Sequence, residues 1–272
     1  MHPDISRSAA VASRLDWRDQ SPSTNAELAR LAREQSAEWP DFSVVVTDTQ
    51  TAGRGRRDRV WTSPPGSSLA ISVLLRPRLP VASLGWLPLV GGLAMTRAVR
   101  GVLADAGLDA SRARIKWPND VLVGGRKICG VLSELVEVAD EGAVVVLGAG
   151  VNTAMTVEQL PVGTATSLVA EGVSHVSADD VLGRYLEELR VLYDALANAD
   201  GDAVKSGVRQ AVMDACATIG ASVRVELPGE SLLTGTAVEI DGSGRLVVRS
   251  GDGALTAVSA GDVVHLLPLA PS

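Results

Sequence analysis

The sequence predicts an α+β unit over residues 1–216, a mixed β-sheet flanked by helices, followed by a small β-barrel over residues 217–272. Three observations carry this reading. Compact β-branched runs alternate with long amphipathic stretches at helical spacing. Successive strand candidates between Ala113 and Val151 are joined by turn chemistry, Pro118-Asn119-Asp120 and Gly124-Gly125, rather than by crossover helices. Beyond Ala217 the texture changes to short strands punctuated by Gly-rich turns, which suits a barrel of about fifty residues.

The elements follow in order. Thr24 and Glu27 have capping-box spacing ahead of Leu28, Leu31 and Ala32, so a short helix is expected there, after a polar, weakly periodic opening stretch through Pro22. Phe42–Thr47 reads as a strand, then a Gly/Arg-rich loop runs from Gln50 to Trp61, and Ser68–Arg76 reads as the next strand. Leu87, Val90, Ala94 and Ala98 form one stripe of a buried helix over Leu84–Gly107, with Gly107 as its C-terminal glycine. Gly91 and Gly92 inside it imply close approach by a neighbouring backbone. Ala113–Trp117, Val121–Val123, Lys127–Val138 and Val144–Val151 are four strand candidates. Ser177 and Asp180 cap a helix over Asp179–Ala197, and residues 202–216 add a further one. The terminal strands are Ser222–Leu227, Leu233–Ile240, Leu246–Arg249 and Val263–Leu267.

Composition narrows the class. The 272 residues are 46% hydrophobic and 21% charged, the balance of a folded globular protein with a sizeable core. A net charge of −7 disfavours general affinity for nucleic acid unless positive charge is clustered locally. Cys129 and Cys216 are too few and too far apart for a disulfide framework or a zinc module, and they fit a reducing, cytoplasmic compartment. Asp4, Arg7, Arg14, Asp16 and Arg18 leave no room for a secretory apolar segment, and no run of about 18 apolar residues predicts a membrane span. His2, His175 and His265 are scattered away from acidic or thiol partners, so no protein metal site is expected. Trp17, Trp39 and Trp86 read as core or partly buried anchors, and Cys129 as structural, since no histidine accompanies it as a base.

Against that acidic background, Arg54, Arg56, Arg57 and Arg59 stand between Gly53 and Trp61, with Gly53 and Gly55 interleaved. Glycines let backbone N–H groups approach an anion, and guanidinium forks match phosphate oxygens. The loop therefore suits a phosphate; a solvated basic loop and a nucleic-acid contact are the alternatives. It is not a P-loop, because no Gly-Lys-Ser/Thr closes it. In Lys116-Trp117-Pro118-Asn119-Asp120 and Arg126-Lys127-Ile128-Cys129-Gly130, two lysines bracket one hairpin and could clamp a polyphosphate or a substrate carboxylate. Asp120 could hold Mg²⁺ or accept a proton, although ordinary surface charges on a hairpin would look the same. Gly148-Ala149-Gly150-Val151-Asn152 ends an apolar strand with residues small enough for a ligand to approach and an amide able to read a nucleobase.

The order and spacing of Ser23-Thr24-Asn25, Gly53-Arg54-Gly55-Arg56-Arg57, Lys116-Trp117-Pro118-Asn119-Asp120, Arg126-Lys127 and Gly148-Ala149-Gly150-Val151-Asn152 resemble the biotin protein ligases, from about Asp16 to the C-terminus. The resemblance implies the sheet architecture shared with class II aminoacyl-tRNA synthetases and an SH3-like C-terminal barrel. It implies a two-step reaction: biotin and MgATP give biotinyl-5′-AMP and pyrophosphate, and a lysine of a biotin carboxyl carrier domain of an acyl-CoA or pyruvate carboxylase then takes the biotinyl group, releasing AMP. By this resemblance Arg56, Lys116, Asp120 and Lys127 carry the chemistry. Ser23, Thr24, Asn25, Gln50, Gly53, Arg54, Lys127 and Gly130 would hold biotin. Arg54, Arg56, Arg57, Arg59, Trp61, Lys116, Lys127 and Asn152 would hold ATP and the adenylate, with Asn152 reading adenine and Asp120 orienting or deprotonating the incoming lysine. The loop from Gly53 to Trp61 would close over the adenylate, with Trp61 as its latch.

Some relatives carry an N-terminal DNA-binding domain and act as repressors; only residues 1–22 precede Ser23 here, so a ligase that does not bind DNA is expected, and a monomer. Thr62 stands where several relatives have an aromatic residue, which would weaken the nucleotide contact. A lipoate-type ligase and a non-catalytic binding module are the competing readings; biotin-dependent pyrophosphate release separates all three.

Overall fold

The structure, a computed structural model, describes residues 3–139, 142–226, 232–259 and 262–265. In chain order the elements are α1 (Ser6–Val11), β1 (Arg14–Trp17), α2 (Thr24–Glu34), β2 (Ser43–Thr47), β3 (Gly53–Arg54), β4 (Val60–Trp61), β5 (Ser68–Leu75), α3 (Leu87–Asp105), β6 (Ala113–Lys116), β7 (Asp120–Val123), β8 (Arg126–Ala139) and β9 (Gly142–Asn152). After them come α4 (Ala178–Asn198), α5 (Val208–Ala215), β10 (Ser222–Glu226), β11 (Leu232–Ile240), β12 (Leu246–Arg249), β13 (Leu255–Val258) and β14 (Asp262–His265).

Seven strands form one mixed sheet in the order β1-β2-β5-β9-β8-β7-β6, with β1 and β2 parallel and the other neighbours antiparallel. Side chains alternate across a strand, so each strand feeds two layers. Val44, Val46, Ile71, Val73, Leu147 and Val151 pack in the larger core with α3 and α4, while Val45, Leu74 and Val146 pack beneath Leu28, Leu31 and Trp39 on the α2 side. Helices on both faces explain why β2 and β5 read as continuous apolar runs rather than as alternating ones.

The predicted stripe Leu87, Val90, Ala94 and Ala98 is buried, and Gly107 takes φ +71° just past the C-cap of α3. Residues 81–105 are long and apolar enough to cross a membrane by length and composition, but 72% of their most apolar window is buried inside the protein, as befits a core helix. Gly91 is tight for a different reason than expected: a Cβ there would lie 3.1 Å from Leu147 and 3.2 Å from Val131, side chains rather than backbone, and Gly92 faces open space.

Other expectations shift too. The cap of α2 is Ser23, whose side chain accepts from the Ala26 N–H, not Thr24; Glu27 instead accepts from the Ser21 hydroxyl and pairs with Arg18. The opening stretch is not featureless, since it holds α1 and β1. α1 is anchored by Arg7 and Ser8 to Asp179, Asp180 and Glu187, contacts too distant in sequence to be read locally. The basic loop contains the small β3–β4 hairpin, and the helix expected over residues 202–216 is confined to Val208–Ala215. Leu227 and residues 266–267, expected in strands, lie outside the described residues.

The C-terminal strands pair antiparallel in the order β13-β12-β11-β10-β14, consistent with an SH3-like barrel, and β13 is a strand that the sequence reading missed. This sheet is tied to the larger one by two buried indoles. Trp86 Nε1 donates to the Gly242 carbonyl at 2.9 Å and Trp117 Nε1 to the Gly244 carbonyl at 3.0 Å, so the turn between β11 and β12 is held from below. Trp117 N–H donates to Thr218 Oγ1 at 3.0 Å, which fixes the entry to β10.

Candidate active site

Strand register builds the site. One row of directly paired residues crosses the sheet on its α2 face: Ala70 opposite Gly150, Gly150 opposite Gly130, Gly130 opposite Asp120, and Asp120 opposite Lys116. Small residues thus make a floor, and a carboxylate and a cation stand at its end. A bulge between β7 and β8 leaves Ile128 as the extra residue, which reverses the alternation and brings Lys127 onto the face that carries Gly130. Lys127 Nζ then lies 2.6 Å from Asp120 Oδ1.

The floor must be glycine because the walls come close. A Cβ on Gly150 would lie 2.7 Å from the Trp61 indole, one on Gly148 would run into the Asn25 amide, and one on Gly130 would reach 3.0 Å from Lys127 Nζ. The resulting cavity holds about 360 Å³. Its α2 wall is a polar chain. Gln50 Oε1 accepts from Thr24 N–H at 3.0 Å, the Ser72 hydroxyl lies 2.8 Å from Thr24 Oγ1 and donates to Asn25 Oδ1 at 2.6 Å, and Asn25 Nδ2 donates to Glu134 at 2.7 Å. Glu134 also pairs with Arg54 at 3.3 Å, joining this wall to the basic loop. Across the cavity Arg56 donates to Asn119 Oδ1 at 3.0 Å, and Asn119 in turn donates to the Val131 carbonyl at 2.7 Å, which pins the loop to β8.

Among the described residues five cationic side chains line the cavity, Arg54, Arg56, Arg59, Lys116 and Lys127, against two carboxylates, Asp120 and Glu226. In a chain of net charge −7 this is the local clustering that a polyanionic substrate needs. Glu226, Val263 and Val264 reach the cavity from the C-terminal sheet, so both sheets shape it.

Ser23, Thr24, Asn25, Gln50, Arg54, Arg56, Arg59, Trp61, Lys116, Asp120, Lys127 and Gly130 all line the cavity, whereas Gly53, Arg57 and Asn152 do not. Gly53 supports it from behind, since a Cβ there would reach 2.5 Å from the Trp61 carbonyl. Arg57, at φ +53°, donates to the Glu226 carbonyl at 3.4 Å. Asn152 is buried, and its amide donates to the Thr166 carbonyl at 2.9 Å. Sequence reasoning missed Ser72, Asn119, Glu134 and Glu226 as site residues. A lone hydroxyl in the apolar β5 run was the available signal for Ser72, and a place inside the Lys116–Asp120 motif was the signal for Asn119; nothing local marks Glu134 or Glu226. Cys129 is fully buried beneath the site, and burial pushes its thiol far up, so it is no nucleophile.

A model of the biotin/lipoate A/B protein ligase family matches residues 17–152, and one of the biotin protein ligase C-terminal domain matches residues 218–266. The chain is 38% identical over 253 residues to the biotin-[acetyl-CoA-carboxylase] ligase of Mycobacterium tuberculosis, covering 93% of this chain and 89% of that one. The chain belongs to the biotin protein ligases. The biotin protein ligase of Aquifex aeolicus, solved with biotin and ATP, superposes with a TM-score of 0.73 at 25% identity, covering 93% of this chain and 98% of that one. That of Leishmania major, solved with biotinyl-5-AMP, gives 0.60 at 28% identity, covering 91% and 99%. Similarity to the bifunctional ligase/repressor of Bacillus subtilis, 35% identity, spans 54% of this chain and 42% of that protein. As a member of this family the chain is a ligase with the mixed-sheet biotin ligase fold.

Proposed function

We propose that the glycine-floored end of the cavity takes biotin and the cationic rim takes ATP, so that the chain makes biotinyl-5′-AMP and passes biotin to a lysine of a biotin carboxyl carrier domain of a carboxylase. The observation that supports this most is the cross-strand row, which sets an uncharged, ring-sized floor against Asp120, Lys116 and Lys127. The neutral ureido ring calls for hydroxyl and amide partners, and Ser23, Thr24, Asn25 and Gln50 supply them.

In the first step a biotin carboxylate oxygen attacks the α-phosphorus as the bond to the β-phosphate breaks and pyrophosphate leaves. Both reactants are anionic, so catalysis is mainly positioning and charge neutralisation, the work of Arg54, Arg56, Lys116 and Lys127. In the second step the acceptor ε-amine attacks the acyl carbon, the carbon–oxygen bond to phosphate breaks, AMP leaves, and the amine loses a proton. Asp120 orients that amine and accepts the proton. Lys127, paired with Asp120 in the free protein, turns to the biotin carboxylate and α-phosphate when substrates bind.

Among the described residues no group of three or more His, Cys, Asp and Glu side chains is placed to hold a metal ion. The cationic rim suits a triphosphate that carries its own Mg²⁺, which would neutralise charge there while the arginines orient the phosphates. Two free, buried cysteines support a reducing, cytoplasmic setting. We take the working form to be a monomer.

The test is pyrophosphate release from MgATP with biotin, with lipoate and with neither, on the native chain and on Lys127→Ala. Release should require biotin and fall by about 100-fold in the variant. Release driven by lipoate, or by neither acid, would overturn the assignment.

A further inference from the structure

Lys127 stands opposite Leu122 of β7, yet its own N–H and carbonyl hydrogen-bond to a segment outside β7 and β9. Its N–H donates to the Thr164 carbonyl at 2.7 Å, and its carbonyl accepts from the Thr166 N–H at 2.8 Å, so residues 164–166 act as a strap along the bulge. The strap is secured at Thr166. Its carbonyl accepts from the Asn152 amide at 2.9 Å, and its hydroxyl donates to Glu171 Oε1 at 2.7 Å. Glu171 is also the partner of two arginines, Arg126 and Arg112, each at 2.7 Å, and its side chain is only 2% exposed.

A carboxylate so deeply removed from water is costly to bury unless it is paired and hydrogen-bonded, and of its side-chain partners Arg126 and Thr166 adjoin Lys127 while Arg112 adjoins the strand of Lys116. Arg126 is the residue before Lys127, Arg112 comes just before the strand that ends in Lys116, and Thr166 grips the Lys127 backbone directly. None of these groups lines the cavity. We propose that Glu171 is a positioning residue for the ligase reaction: its charge gathers Arg112, Arg126 and the 164–166 strap into one unit that fixes the bulge and so sets where Lys127 Nζ meets the biotin carboxylate. The inference rests on the reading of Lys127 as the residue that contacts that carboxylate.

A purely structural carboxylate would lower stability without acting through Lys127, and a double-mutant cycle tells the two apart. Glu171→Gln keeps the shape and the acceptor for Thr166 but leaves two guanidinium groups without a countercharge. The measurement is kcat/KM for biotin in pyrophosphate release, made below the unfolding range of each variant, together with biotin affinity by calorimetry. Glu171→Gln should lower both by about 10-fold or more in the native background and by less than about 2-fold in Lys127→Ala. Glu187→Gln, which loses the Arg7 pair on α4, serves as the ion-pair control and should leave both readouts unchanged. Should Glu171→Gln fail to fold, Thr166→Val removes only the hydroxyl link and should show the same non-additivity at smaller size. Equal losses in both backgrounds, or no loss in the native one, overturn the inference while leaving Lys127 its role. Unimpaired release by Lys127→Ala itself would instead show that the underlying reading of Lys127 is wrong, and the inference falls with it.

Discussion

The two faces of the seven-stranded sheet are made from alternate residues of the same strands, yet one is core throughout while the other, beyond the apolar cluster under α2, lines the candidate site. On β5, Ile71 and Val73 face α3 while Ala70 and Ser72 face α2; on β9, Leu147 and Val151 oppose Gly148 and Gly150 in the same way. The core face gains from every methylene it buries, about 0.8 kcal/mol each, whereas the site face gives up that burial to leave room for a ligand. Stability and activity are thereby written on alternate letters of one strand, and a substitution should disturb mainly one of the two.

Asp120→Ala should break the comparison most visibly on the site side. Transfer of biotin from preformed adenylate to a carrier domain should slow by about 100-fold or more, the range of a lost general base, with little change in thermal midpoint. Transfer at the native rate would remove Asp120 from the second step. Leu93→Ala and Gly148→Ala are the matched pair for the two faces. Leu93, 1% exposed in α3, should cost about 2–5 kcal/mol in denaturant unfolding and leave the activity of the folded fraction intact. Gly148→Ala displaces the Asn25 amide and should weaken biotin binding by about 10-fold or more, while costing about 1–3 kcal/mol of stability. If the Leu93 variant lost activity in the folded state, or the Gly148 variant bound biotin normally, the division between faces would not hold.

What the sequence disclosed follows the same division. Elements whose signal is local, the stripe of α3, the Ser177 cap of α4 and the β-branched runs, were legible to within three residues at their ends. β1 was not, because its four residues gain their strand identity from pairing with β2, and α1 owes its place to acidic groups on α4. In the site, charged motifs announced themselves by departing from an acidic background. Asn119 stood inside one of those motifs without a role, which its contact with Arg56 supplies; Ser72, Glu134 and Glu226 did not announce themselves, since register, the link from Asn25 to Arg54 and the docking of a second sheet bring them to the site. Asn152 illustrates the converse: its place at the end of a small-residue strand suggested a ligand contact, but a buried backbone carbonyl takes its amide.

The smallest expected effect concerns the joint on which both faces depend. His265 on β14 lies 3.0 Å from Thr218 Oγ1, the same oxygen that accepts from the Trp117 N–H beside the hairpin of Lys116 and Asp120. Burial lowers the imidazole below its ordinary value of 6.5, and the nearby Lys116 charge lowers it further. The unfolded chain therefore takes up this proton near pH 6.5 while the folded chain takes it up only at lower pH. Between those points the unfolded state binds more protons, so stability rises with pH through that window and is lost as pH falls below about 6.5. Urea midpoints of the native chain and of His265→Gln, compared from pH 8 down to 5.5, should converge on acidification as the native chain loses its advantage. Parallel curves would mean that the histidine does not report the joint.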